Sequence, residues 1–349
     1  MTTDPVRFAV IGLDHWYSAI PLARAIVDSP EAELVGLADA DPDRARQVAA
    51  QLGNPDLVTQ ADALLDDPAI DAVALYASVD RNPDACVRAA EQGKHIVSVK
   101  PLARTLEEAT RILHAVRQAG VTFVPSESRA RATGFARRLR TWADEGRFGK
   151  PLTATFQAWT GLPSSWPGAT DSGWFTDPDR APGGGWIDHS IYHIDLLRWA
   201  FRAEVIRVDG RTANLKHPQL QGSGLEDYGH AQLEFDNGMH ASVEDTWTAP
   251  PGGGRQSLSI VGTEGAVAYD SLTGRFSAQG SMHPFDGWAH IAEGPGQPNG
   301  IEDILDAVRG NAYAYAECAW RNLASCLAFY RAAETGRGIT PETPPEPVR

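Results

Sequence analysis

The feature that most constrains this sequence is the regular alternation of short apolar segments with amphipathic ones over its first 125 residues. Segments rich in β-branched residues predict five strands: RFAVIGL, ELVGLAD, DAVALYA, HIVSV and VTFVPS. The segments between them have apolar residues at helical spacing: SAIPLARAIVDS, PDRARQVAAQLG, PDACVRAAEQG and LEEATRILHAVRQAG. Continuous apolar strands joined through helices are typical of a parallel sheet that is buried on both faces. The pattern therefore predicts a doubly wound α/β domain of the Rossmann type.

Beyond residue 125 the pattern changes to long segments separated by turns. After a predicted helix from Gly134 to Glu145, these segments predict a large open, mainly antiparallel sheet: LTATFQAWTG, EVIRVDGRTAN, DYGHAQLEFDNGMHASVEDTW and QSLSIVGTEGAVAYD. DNG and TEG predict hairpin turns. Helices are predicted for WIDHSIYHIDLLRWAF and AYAECAWRNLASCLAFYRAAETG. We expect an α/β domain over residues 1–125, an α+β domain over 126–340 and an extended tail over 341–349.

Charge and cysteine content narrow the partners and the compartment. The net charge of −14 and the pI near 5.1 argue against nucleic acid, because no basic stripe is present to neutralise phosphates. The three cysteines are too scattered for a disulfide framework or a zinc cluster, which indicates packing roles in a reducing compartment. No secretory signal or membrane-spanning stretch is visible, so we expect a cytoplasmic protein with no membrane partner.

The stretch FAVIGLDHWYSAI has the shape of a nucleotide-binding turn but keeps one glycine of the usual three. Gly12 supplies the tight turn, whereas Asp14 stands where the backbone approaches a pyrophosphate and Tyr17 where a small residue packs. The helix N-terminus still offers N–H groups to an anion. On this motif alone, it is about equally consistent that the chain binds a dinucleotide and that it has lost this binding.

Asp39 ends the second strand, twenty-seven residues after Gly12. An acid at this place accepts hydrogen bonds from the adenosine ribose, which favours NAD over NADP. With Ala40 and Asp41 following, no arginine is expected for a ribose phosphate. The alternative is a solvated loop acid at the start of the next helix.

Two further motifs carry candidate catalytic groups. In SVKPLA, Lys100 follows a strand at the carboxyl edge of the predicted sheet, where ligands bind in such folds. In GGGWIDHSIYHIDLLRW, Asp188 and Tyr192 share a helix face, as do His189 and His193, and Asp195 returns to the first face. The paired histidines suit a metal by spacing, but no further ligand is obvious, so no metal is expected.

Taken in order, AVIGLDH, LAD, SVKPLA, GGGWIDHSIYHIDLLRW and ETGRGI resemble the Gfo/Idh/MocA family of sugar and polyol oxidoreductases nearly end to end. In that family the SVKP segment corresponds to a Glu-Lys-Pro motif, with Val99 here in place of the acid. The second motif is Asp-x-x-x-His in most members and has Tyr192 at the histidine position here. This Asp-x-x-x-Tyr form is similar to the glucose-fructose oxidoreductase and dimeric dihydrodiol dehydrogenase branches.

The resemblance implies hydride transfer between NAD, or less readily NADP, and a hydroxyl or carbonyl carbon of a sugar, cyclitol or glycoside. Tyr192 would carry the proton, with His193 as a competing candidate; Lys100 would lower the phenol pKa, and Asp188 would orient the substrate or Lys100. The implied cofactor residues are Gly12, Leu13, Asp14, His15, Asp39, Ala77 and Lys100. The implied substrate residues are Lys100, Trp159, Trp174, Asp188, His189, Tyr192 and His193, with Trp166 and Trp186 as further stacking candidates.

Three points stay open at the level of the sequence. Transient oxidation by a recycled NAD would support elimination or epimerisation without net redox. A ligand-binding protein that lost the cofactor is a second alternative, because of Asp14 and Tyr17. The resemblance also implies a homodimer or homotetramer formed through the second sheet, with the side chains of Phe156, Ala158, Leu233 and Phe235 near the contact.

Overall fold

The fold is described from a computed structural model that covers residues 4–292, 301–310 and 314–346. A five-stranded parallel sheet has the order β2-β1-β3-β4-β5 and confirms the predicted doubly wound domain. Its strands are β1 Val6–Ile11, β2 Ala32–Ala38, β3 Ala72–Leu75, β4 His95–Ser98 and β5 Phe123–Pro125. The helices are α1 Trp16–Asp28, α2 Pro42–Gln51, α3 Ala61–Asp66, α4 Asn82–Glu91 and α5 Leu106–Ala119.

The second sheet has eight strands in the order β13-β12-β11-β10-β6-β9-β8-β7. Its neighbouring strands are antiparallel except for β6 and β9, so the sheet is mainly antiparallel, as expected. The strands are β6 Pro151–Trp159, β7 Val205–Ala213, β8 Tyr228–Phe235, β9 His240–Thr246, β10 Arg255–Gly262, β11 Gly265–Asp270, β12 Arg275–Gly280 and β13 Ala289–His290. The helices are α6 Gly134–Asp144, α7 Gly185–Phe201, α8 Ile301–Gly310 and α9 Ala314–Thr335.

The sequence prediction missed α3, β12, β13 and α8. Of these, α8 lies within the predicted second domain but packs on the parallel sheet, where Ile304 and Leu305 join the core formed by β1, β3 and β4. The helix therefore gains its burial from strands far away in sequence. Residues 341–346 lie outside the helices and strands, and the carbonyl of Pro345 accepts a hydrogen bond from Arg117. The last three residues of the expected tail, 347–349, lie outside the described residues.

One face of the second sheet packs on helices α6, α7 and α9. Phe156, Ala158, Leu233 and Phe235 all lie on this inner face and are at most 2% exposed. These four side chains are therefore not on the exposed face of the sheet where a subunit contact was expected, because strand alternation turns them towards the helices. Their neighbours Thr155 and Gln232 are exposed on the outer face.

Candidate active site

The β1–α1 turn is built around Gly12. Its φ is +87°, and a Cβ there would lie 2.3 Å from the backbone nitrogen of Ala77, which follows β3. The amide of His15 donates to the carbonyl of Tyr76, so the turn lies directly against the end of β3. Only glycine meets both the positive φ and the close approach. Position 12, which was predicted to need glycine for a tight turn, can therefore hold no other residue without strain.

Asp14 does not leave an unpaired negative charge in the turn. Its carboxylate accepts from the amide of Ser78 at 2.8 Å and from the guanidinium of Arg81 at 2.7 Å. Arg44 lies 3.7 Å from its other oxygen. The carboxylate therefore points towards the β3–α4 loop and is neutralised by two arginines.

Asp39 joins this turn from the end of β2. Its carboxylate accepts from the amides of Leu13 at 2.6 Å and Asp41 at 2.8 Å. Burial raises the pKa of Asp39, and those two hydrogen bonds oppose the shift. A cavity of about 400 Å³ opens beside Asp39 and is also lined by Gly12, Ala77 and Arg46. The expectation that no arginine lies nearby is wrong, although Arg46 pairs with Asp43.

His15 is fully buried in the same turn, under an aromatic cover from the second domain. Its ring centroid lies 4.8 Å from that of Trp174 and 5.6 Å from that of Phe175. Burial, followed by the charge of Lys100, lowers the pKa of His15 to about 3, so the ring is neutral. Its two nitrogens make no hydrogen bond of normal geometry with the described residues. Trp174, predicted as a sugar platform, thus packs against the cofactor turn.

Lys100 and Asp188 form a buried ion pair between the two domains. The Lys100 ammonium donates to the Asp188 carboxylate at 2.6 Å and to the Asp188 backbone carbonyl. Burial alone would lower the pKa of Lys100, but Asp188 raises it well above its usual range. Burial likewise raises the pKa of Asp188, but Lys100 reverses this and holds it well below its usual range. Both groups are therefore charged at neutral pH.

Tyr192 lies beside this pair, with its ring centroid 5.3 Å from the Lys100 nitrogen. Burial raises the pKa of Tyr192; Lys100 lowers it, whereas Glu127 and Asp188 raise it further. The net shift is upward, so the expectation that Lys100 brings the phenol towards neutrality is not met. The reason is that burial and two carboxylates outweigh one ammonium.

Asp188 also contacts Trp247, which the sequence prediction missed, and His189, which it named as a substrate-binding candidate. Trp247 donates to the second carboxylate oxygen of Asp188 at 3.0 Å. His189 lies 3.7 Å from Asp188 and 3.5 Å from Asp245. Asp245 accepts from the amides of His189 and Ser190, which fixes the first turns of α7. There was little indication in the sequence of a role for Asp245 and Trp247, since an acid and a tryptophan are common at the end of a strand.

Several predicted residues lie apart from Lys100. His193 packs flat on Phe156, with ring centroids 3.2 Å apart, beneath the second sheet. Asp195 does not join Asp188 but pairs with Arg131 and Asn322 on the far side of α7. Trp186 stacks on Phe329 in the core, Arg255 covers Trp159 on β6, and Arg44 covers Trp166. Each of these three tryptophan rings therefore has another side chain over at least one of its faces.

The turn fits an NAD molecule, as judged from its own residues. A glycine that a Cβ would block, a buried histidine with unused nitrogens and a cavity ending at Asp39 lie in one continuous region. The free amides at the start of α1 add a site for an anion. In the parts of the chain that the structure describes, no group of three metal-ligating side chains is found and no helix is long and apolar enough to cross a membrane.

Comparison with known proteins agrees with this arrangement. Residues 6–126 match the model described as an oxidoreductase family with an NAD-binding Rossmann fold, and residues 136–268 match the GFO/IDH/MocA C-terminal domain. The scyllo-inositol 2-dehydrogenase (NAD(+)) of Bacillus subtilis (strain 168) is 32% identical over 270 residues, covering 76% of this chain and 74% of that protein. The 1,5-anhydro-D-fructose reductase of Ensifer adhaerens is 26% identical over 318 residues, covering 89% and 92%.

A levoglucosan dehydrogenase in complex with NADH and L-sorbose has the same fold. Its structure superposes with a TM-score of 0.80 at 21% identity and covers 98% of this chain and 100% of that one. The same family is indicated by both halves of the sequence, by the whole fold and by the position of the lysine motif at the sheet edge. The chain therefore belongs to the Gfo/Idh/MocA family of NAD-binding oxidoreductases.

Proposed function

We propose that this protein is an NAD-dependent dehydrogenase of a sugar, cyclitol or glycoside, in which Lys100, Asp188 and Tyr192 form the catalytic group. The observation that carries the proposal is the buried Lys100–Asp188 ion pair beside Tyr192, at the carboxyl edge of the parallel sheet. The relatives named as inositol and anhydrosugar enzymes support this substrate class. NAD is favoured over NADP, because the carboxylate of Asp39 in the cavity opposes a ribose phosphate.

NAD, when bound, would accept the hydride from the carbinol carbon or return it to a carbonyl carbon. Gly12, Leu13, Asp14, His15, Asp39 and Ala77 are the residues that would hold it. Lys100 would bind the reacting oxygen and stabilise negative charge on it, while Asp188 keeps the ammonium charged and fixes its position. Tyr192 would take the hydroxyl proton during oxidation and give it back during reduction.

The state of Tyr192 gives the direction of the pH dependence. Burial raises the pKa of Tyr192 above 10, its usual value, so the phenol is protonated at neutral pH. A protonated phenol is ready to donate in reduction, whereas oxidation requires its conjugate base. We therefore expect the oxidation rate to rise with pH from about 7 to 10 and the reduction rate to stay flat over the same range.

The test combines cofactor binding with turnover. Quenching of tryptophan fluorescence would measure NADH binding, and NADH absorbance would follow oxidation of scyllo-inositol, levoglucosan and D-xylose and reduction of 1,5-anhydro-D-fructose. Tyr192→Phe should lower kcat by roughly 10² to 10⁴-fold and leave the NADH Kd unchanged. Lys100→Met should likewise lower kcat and leave the NADH Kd unchanged. Tyr269→Phe, on β11, is the matched control and should behave as wild type.

Two outcomes would contradict the proposal. Failure to bind NADH or NADPH would mean that the turn no longer serves a dinucleotide, as in the ligand-binding alternative. Turnover of Tyr192→Phe equal to that of Tyr269→Phe would remove Tyr192 from the mechanism. Consumption of substrate with no net NADH formation would instead favour the elimination or epimerisation variant.

We further infer a cytoplasmic homodimer or homotetramer that uses the outer face of the second sheet. The oligomer rests on the resemblance to this family, and the compartment rests on the three cysteines, which are free in the structure. Sedimentation of the purified chain would test the oligomeric state, and a monomer would exclude it.

A further inference from the structure

The ring of His189 lies between two carboxylates, one that belongs to the catalytic group and one that does not. Its Nδ1 atom is 3.7 Å from Oδ2 of Asp188 and 3.5 Å from Oδ1 of Asp245. The Asp245 side chain is fully buried, and that of Asp188 is 13% exposed. A protonated ring can therefore pair with either acid, and the choice between them affects Asp188.

Both oxygens of Asp188 already have a partner. Its Oδ1 atom accepts from Lys100 at 2.6 Å, and its Oδ2 atom accepts from the indole of Trp247 at 3.0 Å. Oδ2 is also the oxygen that lies 3.7 Å from the His189 ring. An imidazolium that moved onto Oδ2 would compete with Trp247 and draw negative charge away from Lys100. The ammonium of Lys100 would then be held less firmly.

Asp245 offers the ring a closer partner. Its Oδ2 atom accepts from the amides of His189 at 2.7 Å and Ser190 at 2.9 Å, so the carboxylate is fixed to the helix that carries the ring. Its Oδ1 atom and the Nδ1 atom of His189 have no hydrogen-bond partner of normal geometry within the described ranges. A shift of about 0.5 Å would bring these two atoms to hydrogen-bond distance. The backbone contacts therefore place the ring beside Asp245.

The charges around the ring favour its protonated form. Burial lowers the pKa of His189, but Asp188 and Asp245 raise it, and the net shift is upward despite the nearby ammonium of Lys100. Burial raises the pKa of Asp245 to about 6, against the opposing effect of His189, so this acid is ionised at neutral pH. His193, one turn further along α7, stays neutral because burial lowers its pKa to about 3. The two cations and two anions of this group then carry no net charge, which suits a buried site.

We propose that Asp245 is a positioning residue, which pairs with the His189 ring and thereby keeps Asp188 free for Lys100. This rests on the proposed function, because it gives the Lys100–Asp188 pair a part in turnover. Asp245 acts through His189 and touches none of the reacting atoms. Its carboxylate draws the imidazolium away from Asp188, so that the ammonium of Lys100 keeps its place.

The experiment compares Asp245→Asn with the wild type at about pH 6 and about pH 8, on either side of the range in which a histidine titrates. Asparagine keeps an oxygen for the two amides, so the fold should be retained. At the lower pH the protonated ring should turn to Asp188, and kcat should fall roughly tenfold relative to the wild type. At the higher pH the ring is neutral, and the loss should shrink to within about threefold. Asp209→Asn, half-exposed on β7, is the matched control and should equal the wild type at both pH values.

A second variant tests whether His189 causes the loss. Adding His189→Gln to Asp245→Asn removes the imidazolium that competes for Asp188. We expect kcat at the lower pH to recover at least about threefold relative to Asp245→Asn alone, although the double variant carries two changes. If Asp245 only stabilised the start of α7, the second change would bring no recovery and the loss would be equal at both pH values.

Nuclear magnetic resonance adds a measurement that does not need turnover. In enzyme labelled with 15N-histidine, the ring signal of His189 is the one that is lost in His189→Gln. The titration of this signal reports the pKa of His189, which should be lower in Asp245→Asn than in the wild type, because one of two neighbouring anions is removed. An unchanged pKa would overturn the proposal whether or not the enzyme turns over a substrate.

The outcomes separate this proposal from the one on which it rests. A wild type that turns over no polyol or sugar would overturn the proposed function and, with it, this role of Asp245. An active wild type with no recovery of kcat in the double variant would overturn only the role of Asp245.

Discussion

The carboxyl group of Glu127 is fully buried in the segment that follows β5. Burial and the nearby Asp195 raise its pKa to about 7, against weaker opposing effects of Asn322 and Arg131. One of its oxygens has no hydrogen-bond partner in the described part of the chain. Such a group is protonated in the folded protein at a pH where it would be ionised in the unfolded chain.

This shift predicts a loss of stability with rising pH. Because the folded pKa lies above the unfolded value, the stabilisation is present below about pH 4.5 and is lost as the pH rises through about 7. Between about pH 4.5 and 7, the free energy of unfolding in urea should fall by about 1 to 3 kcal/mol less for Glu127→Gln than for the wild type. Exposed Glu334→Gln on α9 is the control. Equal pH slopes for wild type and Glu127→Gln would refute the assignment.

At the residue scale, the motifs predicted part of the candidate site. Lys100, Asp188 and Tyr192 were named because each lies in a short segment with a characteristic spacing, and the structure brings them together. Trp247 and Asp245 were not found, because they reach Asp188 and His189 from the end of β9 and the residue after it, more than fifty residues further along the chain. Their role depends on the pairing of strands, which local spacing does not encode.

The β1–turn–α1 unit depends on Gly12 for two separate reasons, which can be separated by experiment. Its φ is positive, and its α-carbon faces the backbone of Ala77. Gly120, which ends α5, also has a positive φ of +67°, but a Cβ at this position would have no other atom within 4 Å. Both glycines thus have a positive φ, but only at Gly12 would a side chain also clash with a neighbouring backbone.

We expect Gly120→Ala to cost about 1 kcal/mol of unfolding free energy, from the left-handed backbone alone. Gly12→Ala should cost more than about 2 kcal/mol and should also weaken NADH binding, because the turn must move away from β3. Thermal unfolding and fluorescence titration would measure the two effects. Equal stability losses, together with wild-type NADH affinity in both variants, would show that the close approach to Ala77 does not matter.

Among the elements, the sequence predicted those with clear periodicity and missed those stabilised from a distance. α8 has Ile301, Ile304, Leu305 and Val308 at helical spacing, but its buried face is covered by strands that precede it by about two hundred residues or more. β12 is short and follows a glycine-containing turn, so its pairing with β11 was not apparent. Both α8 and β12 are therefore stabilised by tertiary packing that the local sequence does not reveal.

The whole molecule is held together by one core that crosses both sheets. Buried residues of β3, β4 and β5 belong to the same apolar cluster as those of the second sheet, with α9 between them. Trp320 of α9 is 2% exposed and donates from its indole nitrogen to Thr110 of α5 at 3.0 Å. This arrangement indicates that the two domains unfold together.

Trp320→Ala should therefore lower the stability of both domains at once, by about 3 to 5 kcal/mol. Circular dichroism and tryptophan fluorescence should report a single transition in the wild type and in the variant. Trp288→Ala, at a position that is 53% exposed, should stay within about 0.5 kcal/mol of wild type. Two separate transitions, of which only one responds to Trp320→Ala, would show that the domains are independent.

The carboxylate of Asp14 has a consequence for redesign of the cofactor turn. Because it binds Arg81 and lies close to Arg44, the chain carries its own counter-ion where other fingerprints have only backbone. Restoring glycine at position 14 would raise the local charge by one unit and leave Arg81 without this carboxylate. Positions 14 and 81 therefore form one unit, and an engineer who edits the turn must exchange both together.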